Sequence, residues 1–209
     1  FVTEGEAPLT LQEDNAIATS TVVSEISSHA LYDEDSFAWY EGGKEFYDAY
    51  NFASGNTKTY TLATPDAINT DASLELSFSA YNKLSSTEVM VTSGEKTLGR
   101  FNIRYCRDHE YAIDKRQNYT LTTSGATTPI KFTTTQGRDA RLNYLSLTYK
   151  RKLTANGDAY TFVPTPISSS AIKLQIEGAT NATQVWRINE ATKAITKCSS
   201  QLTDGTLFA

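Results

Sequence analysis

RLNYLSLTYKRKL (141–153) reads as a long β-strand. Leu145, Leu147 and Tyr149 recur on one side. Leu142 and Tyr144 open the other side, which then turns polar through Ser146, Thr148 and Lys150. Successive strand side chains point to opposite faces, so the pattern is that of a central strand leaving its sheet for solvent. Upstream, IKFTTT (130–135) stops at Gln136-Gly137 and NYTLT (118–122) stops at Ser124-Gly125. KTLGRFNI (96–103) follows EVMV (88–91) across a turn at Ser93-Gly94. LELSFSAY (74–81) alternates, with apolar residues at even positions through Ala80. TKTYTL (57–62) alternates as well, with a turn expected at Pro65-Asp66. Helical periodicity nowhere extends beyond about two turns. Strands of this length spaced by turns predict an all-β jelly-roll or β-sandwich domain.

Working outward, Leu9-Thr10-Leu11 reads as an edge strand near the start. Pro164, Pro166 and Ser168-Ser169-Ser170 break the composition. They divide the chain into a sandwich over 1–165 and a short second β element over 166–209. That element holds IKLQI (172–176), TQVWRI (183–188), AIT (194–196) and a hairpin turn at Asp204-Gly205. The hairpin's second strand is short and the first residue is Phe1. The chain is therefore expected to be a processed part of a longer polypeptide, with the second element leading into a further domain.

Composition narrows the function classes. Net charge is -5, the isoelectric point is ≈ 5.1 and mean hydropathy is -0.40. Phosphate neutralisation needs a basic surface, and Lys150-Arg151-Lys152 is a single short basic run, so nucleic acid is not an expected partner. No stretch approaches the roughly twenty apolar residues of a membrane helix. Threonine, at about thirty residues, exceeds its usual share. With 12 Tyr and 9 Phe, this suits pleated, half-buried surfaces.

Chemistry-bearing residues are few: two histidines and two cysteines. Cys106 and His109 are three apart, and on a strand they would point to opposite faces. Cys106 and Cys198 permit one disulfide, and two free buried thiols are the reading that weighs more. Asp33-Glu34-Asp35 lacks the spacing of a calcium loop and reads as a solvated turn. Glu41 and Glu45 are the best carboxylate pair for glycoside chemistry, though neighbours in sequence need not make that geometry. Asn118 and Asn181 match glycosylation sequons by chance. The most aromatic stretch holds Trp39, Tyr40, Tyr47 and Tyr50. Such rings form either a sugar-stacking platform or part of a core or interdomain contact, and the second use weighs more. Trp186 fits an interdomain strand. These five residues are the candidate interaction surface. No catalytic, cofactor or metal residue is assigned.

LYDEDSFAWYEGGKEFYDAYNF (31–52), RDARLNYLSLTYKRKL (138–153) and TQVWRINEATKAI (183–195) occur in that order. Together they resemble the region ahead of the protease domain in the gingipain-related cysteine peptidases of Bacteroidetes, the type IX secretion sortases in particular. In that family an aromatic segment with a Gly-Lys/Arg-Glu motif opens a jelly-roll-like domain, and Gly43-Lys44-Glu45 matches the motif. A strand like 142–153 closes it, and an element like 185–192 leads toward the catalytic domain. The resemblance implies a non-catalytic accessory β-domain of a secreted or cell-surface peptidase, at the outer membrane or in the periplasm. Its implied partners are the downstream protease domain or secretion-system proteins. The intact sortase would cleave C-terminal sorting domains and attach cargo to surface lipopolysaccharide. The family's catalytic His and Cys lie in a later α/β domain, and no matching segment occurs here. The alternative reading is a carbohydrate-binding module or surface adhesin, with glycan as its partner.

Overall fold

The computed structural model describes residues 12–14, 16–17, 21–155, 157, 159–164 and 172–209. Its strands are β1 (Gln12–Asp14), β2 (Thr21–Val23), β3 (Glu25–Asp33), β4 (Thr57–Tyr81), β5 (Thr87–Ser93), β6 (Lys96–Ile103), β7 (Ile113–Gln136), β8 (Asp139–Lys152), β9 (Ile172–Glu177), β10 (Trp186–Ile188), β11 (Ile195–Cys198), β12 (Gln201–Thr203) and β13 (Thr206–Phe208). The fold is all-β and sandwich-like, as the alternation predicts. Two compact units divide it. One is Ser27–Arg151; the other joins Phe1–Ile26 to Lys152–Ala209.

In the first unit the strand order is β3-β8-β4-β7-β5-β6. β4 and β7 run 25 and 24 residues and pair antiparallel from Thr57↔Thr133 to Ala80↔Ile113. The expected turns at Pro65-Asp66 and Ser124-Gly125 do not end these strands. They sit opposite each other as one irregularity, with register shifts on either side of the Ala67↔Gly125 pair. Asp66 (φ 55) and Gly125 (φ 83) adopt left-handed backbone there, and Pro65, which has no N–H, falls where the ladder is interrupted. Turn chemistry in both partners at one level makes a bend in a continuing ribbon instead of two hairpins. The first half of β4 joins the second half of β7, then β5 and β6. The second half of β4 lies between the first half of β7 and β8, and β3 follows.

Both halves feed one core. Phe52, Phe78 and Phe132 are fully buried, with centroids 4.9 to 6.1 Å apart in edge-to-face contacts. Each such ring contributes roughly 1.5–3 kcal/mol by leaving water. On β8 the register jumps between Ser77↔Tyr144 and Phe78↔Leu142, so Asn143 is left over. The extra residue turns Leu142 inward beside Leu145 and Leu147, all 0% exposed. Simple alternation places Leu142 on the opposite side, and the bulge corrects that. The turns expected at Ser93-Gly94 and Gln136-Gly137 do separate their strands.

The second unit has two small sheets, β12-β13-β9-β2 and β1-β11-β10. β2 pairs parallel with β9, bringing Val23 beside Leu174. The Asp204-Gly205 turn links β12 and β13 as an antiparallel hairpin. Val23, Ile26, Leu153, Leu174, Ile176 and Leu207 are its buried centre. This grouping differs from a break at 165, because parallel pairing of β2 with β9 is a long-range contact without a local signal. Expected strand 183–188 is shorter than predicted. The amide of Thr180 donates to the Thr183 hydroxyl and the Thr183 amide to the Thr180 carbonyl, closing a turn before β10. Leu9–Leu11, Pro166 and Ser168–Ser170 lie outside the described residues.

Candidate functional site

The aromatic stretch 37–60 divides into an inward and an outward set. The inward set surrounds Asp48, which is 1% exposed. Its carboxylate accepts from Lys58 Nζ at 2.7 Å, Tyr60 Oη at 2.5 Å, Tyr32 Oη at 2.9 Å and the Tyr50 amide at 2.7 Å. The Lys58 ammonium lies 4.6 Å from the Tyr60 ring centroid and 5.2 Å from that of Tyr50. Burial acts to raise the Asp48 carboxyl. Lys58, Tyr60, the Tyr50 amide and Tyr32 outweigh it and hold the group below the usual carboxylate range. The same contacts and burial push the Tyr60 and Tyr32 hydroxyls far up. Every donor here has an acceptor, so the cluster is a structural knot and not a poised reactive group.

The outward set lies on the loop 34–47, whose ends are tied by paired backbone bonds between Phe37 and Tyr47, each 2.8 Å. Tyr47 is buried, and its hydroxyl donates to Asp114 Oδ1 at 2.9 Å. The half-buried Trp39 donates its indole N–H to Ser79 Oγ and meets Phe37 edge-on at 5.0 Å. Arg141 stacks its guanidinium 4.1 Å from the Phe37 centroid and donates to the Ala49 carbonyl. A tight turn, closed by the Gly43 amide on the Tyr40 carbonyl at 3.0 Å, then projects Tyr40. A Cβ on Gly43 would stand 3.1 Å from that carbonyl oxygen, so the turn favours a residue without one. Tyr40 meets Tyr111 at 4.9 Å with 33° between planes. These two rings are 52% and 61% exposed. Trp39, Tyr40, Tyr47, Tyr111, Lys44, Glu45 and Asp114 line a shallow depression of about 160 Å³.

The five sequence candidates thus part company. Trp39 and Tyr40 reach the depression with exposed or half-exposed rings, and Tyr47 forms its buried back. Tyr50 packs on the sandwich core beside Phe52 at 4.7 Å. Trp186 is 41% exposed on β10 in the other compact unit. Tyr111, Lys44 and Asp114 were missed. Tyr111 is an isolated aromatic at the end of the loop that follows β6, and nothing local pairs it with Tyr40.

Other candidates resolve simply. Cys106 and Cys198 are both free thiols. Cys106 is buried with its thiol toward the Ala80 carbonyl at 3.6 Å. Its segment is a loop, where His109 takes a left-handed turn conformation (φ 70). Burial pushes the Cys198 thiol up, which opposes thiolate formation. Glu34 accepts from Tyr32 at 2.6 Å and Ser36 at 2.7 Å. Among the described residues no three His, Cys, Asp or Glu side chains converge as metal ligands. Glu41 and Glu45 are both exposed, and Glu45 accepts from Asn143 at 3.1 Å. No described helix is long and apolar enough to cross a membrane.

No protein-family model matches the sequence, and no curated protein matches it. Among solved structures, the fold is similar to dimeric latent PorU from Porphyromonas gingivalis. TM-score is 0.75 and identity 12%, over 97% of this chain and 20% of that one. The chain therefore spans about a fifth of PorU's length. The C-terminal family 6 carbohydrate-binding module of a laminarinase from Zobellia galactanivorans superposes at TM-score 0.36 and 12% identity, over 58% of this chain and 98% of that one. A family 35 carbohydrate-binding module from Clostridium thermocellum gives 0.37 and 13%, over 59% and 90%. Superpositions this loose carry no weight for function.

Proposed function

We propose that the chain is a non-catalytic accessory β-domain of an extracytoplasmic, gingipain-related cysteine peptidase of the type IX secretion sortase kind. It packs against the protease domain or positions cargo for it. The supporting observation is the similarity to PorU across 97% of the chain, which takes in residues of both compact units. The sequence segments 31–52, 138–153 and 183–195 point the same way. In this reading the division into 1–165 and 166–209 gives way to a discontinuous second unit, and β9–β13 lead on toward the protease domain. The test is the coding sequence past Ala209. An α/β domain carrying a His-Gly segment and a downstream Cys is expected. A run of further β-modules there would overturn the reading.

A second reading, a carbohydrate-binding module or surface adhesin, is favoured by one observation. The exposed Tyr40–Tyr111 pair beside Trp39 occupies a polar-rimmed depression that the first reading leaves without a task.

A further inference from the structure

We infer that the depression between the loops 38–46 and 104–112 is a binding site for a neutral glycan, with Tyr40 and Tyr111 as the stacking surface. The inference rests on the second reading above and gives it a place and a ligand class. Singly exposed aromatics need no explanation. Two rings from loops about seventy residues apart, stacked on each other and still more than half exposed, are a different matter. Each ring shields one face of the other and keeps its remaining surface in water.

Both supports are held in place before any ligand arrives. On one side the loop is fixed by the Phe37–Tyr47 backbone pair, by Trp39 on Ser79 and by Tyr47 on Asp114. On the other, Arg104 grips Glu110 through two bonds of 2.7 Å, and the Arg107 amide donates to Glu110 at 2.7 Å. Arg104 first, then the Arg107 amide, lowers the Glu110 carboxyl to about 2, so the latch stays charged under ordinary conditions. The Cys106 amide ties the same loop to the Asn82 carbonyl at 2.7 Å. Preset loops spare the ordering entropy that weakens association.

The rim chemistry selects the ligand class. A sugar offers a flat C–H face to an aromatic ring and hydroxyls to acceptors at its edge. Tyr47 occupies Asp114 Oδ1 and Asn143 occupies Glu45 Oε2, leaving the second oxygen of each carboxylate able to accept from hydroxyls. Lys44 supplies a donor. Glu45 and Asp114 outnumber Lys44 here, so uronic or sulfated sugars meet like charge and neutral ones do not. An extended peptide would want an open strand edge or an apolar side-chain pocket, and this site is a ring platform between two loops.

The experiment is affinity electrophoresis of the full 209-residue chain in gels containing soluble β-1,3-glucan, xylan, galactomannan or alginate. The panel is repeated with Tyr40→Ala, Tyr111→Ala and, as a control, Trp186→Ala, an exposed ring of the other compact unit. Retardation by at least one neutral polysaccharide is expected. Each tyrosine variant should weaken it by about tenfold, the loss of one ring contact, and Trp186→Ala should leave it unchanged. Equal binding by wild type and both tyrosine variants would overturn this site while leaving the carbohydrate reading standing. Preference for alginate would overturn the neutral class. No retardation in any gel would overturn the inference and the carbohydrate reading together. Should either alanine variant lose its unfolding transition, Tyr111→Gln and Tyr40→Gln carry the same test.

Discussion

Asp48 and Tyr40 stand eight residues apart in one aromatic stretch, yet they belong to regions of opposite character. Around Asp48, Tyr32, Tyr50, Lys58 and Tyr60 converge from β3, the following loop and β4, and close every polar contact against the core. Around Tyr40, the rings meet across loops with most of their surface in water. Aromatic density alone does not separate the two. Having a buried charge to satisfy draws Tyr32 and Tyr60 inward, hydroxyl first. Lacking one leaves Tyr40 and Tyr111 as a platform.

The largest expected effect comes from breaking the inward region. Asp48→Ala removes the acceptor from the Tyr60 hydroxyl, the Lys58 ammonium and the Tyr50 amide, while Tyr32 keeps Glu34. Leaving such partners unpaired costs about 3–5 kcal/mol. Chemical denaturation followed by fluorescence checks this. A loss no larger than that of Tyr40→Ala would erase the distinction between the two regions.

A second, smaller effect comes from pH. The folded Asp48 carboxyl is held below its unfolded value, which is about 3.9. Its contribution is therefore complete above that value and is lost as pH falls through the lower folded pKa. Wild type and Asp48→Asn should differ most near neutrality, and the gap between their unfolding midpoints should close below about pH 4. Glu110 titrates in the same acid range, but it does so in both proteins, so the difference isolates Asp48. A gap that stays constant to pH 2 would show that Asp48 acts through packing alone.

How much of this was legible in the sequence follows from distance along the chain. LELSFSAY (74–81) and the 141–153 run gave the strands, because alternation is local. The bend in the β4–β7 ribbon was not legible. Pro65-Asp66 and Ser124-Gly125 each carry turn chemistry, and only their alignment at Ala67↔Gly125 converts two turns into one bulge. The grouping of β2 with β9 is hidden for the same reason. Trp39 and Tyr40 were found by composition, but Tyr111 joins them through a loop contact that no spacing rule encodes. Tyr50 looked equivalent to Tyr40, but its ring packs on Phe52 and its hydroxyl donates to the Thr57 carbonyl, contacts that no local spacing distinguishes.

Between the two regions stands Trp39, half-buried, with its indole N–H on Ser79 Oγ. Ser79 is 0% exposed. Trp39→Phe keeps most of the ring and removes one of two polar partners of that hydroxyl, Tyr47 being the other, which costs about 0.5–1.5 kcal/mol, the worth of one hydrogen bond. The unfolding midpoint should drop accordingly, and the double variant Trp39→Phe/Ser79→Ala should cost less than the sum of the two singles. That shortfall is the informative outcome, since a packing defect at Trp39 alone would add fully to the loss at Ser79.

The smallest stability effect belongs to the platform itself. Tyr40→Ala and Tyr111→Ala remove rings that are 52% and 61% exposed, so each should change stability by no more than about 0.5 kcal/mol, as surface substitutions do. What they lose is their own tilted contact, and the double variant should cost little more than either single one, because the second ring has no partner left to lose. Denaturation of the two singles and the double checks this. A loss of several kcal/mol in either single would mean the rings hold the two loops together. The outward region would then be structural like the inward one, and the contrast between Asp48 and Tyr40 would be one of position and not of purpose.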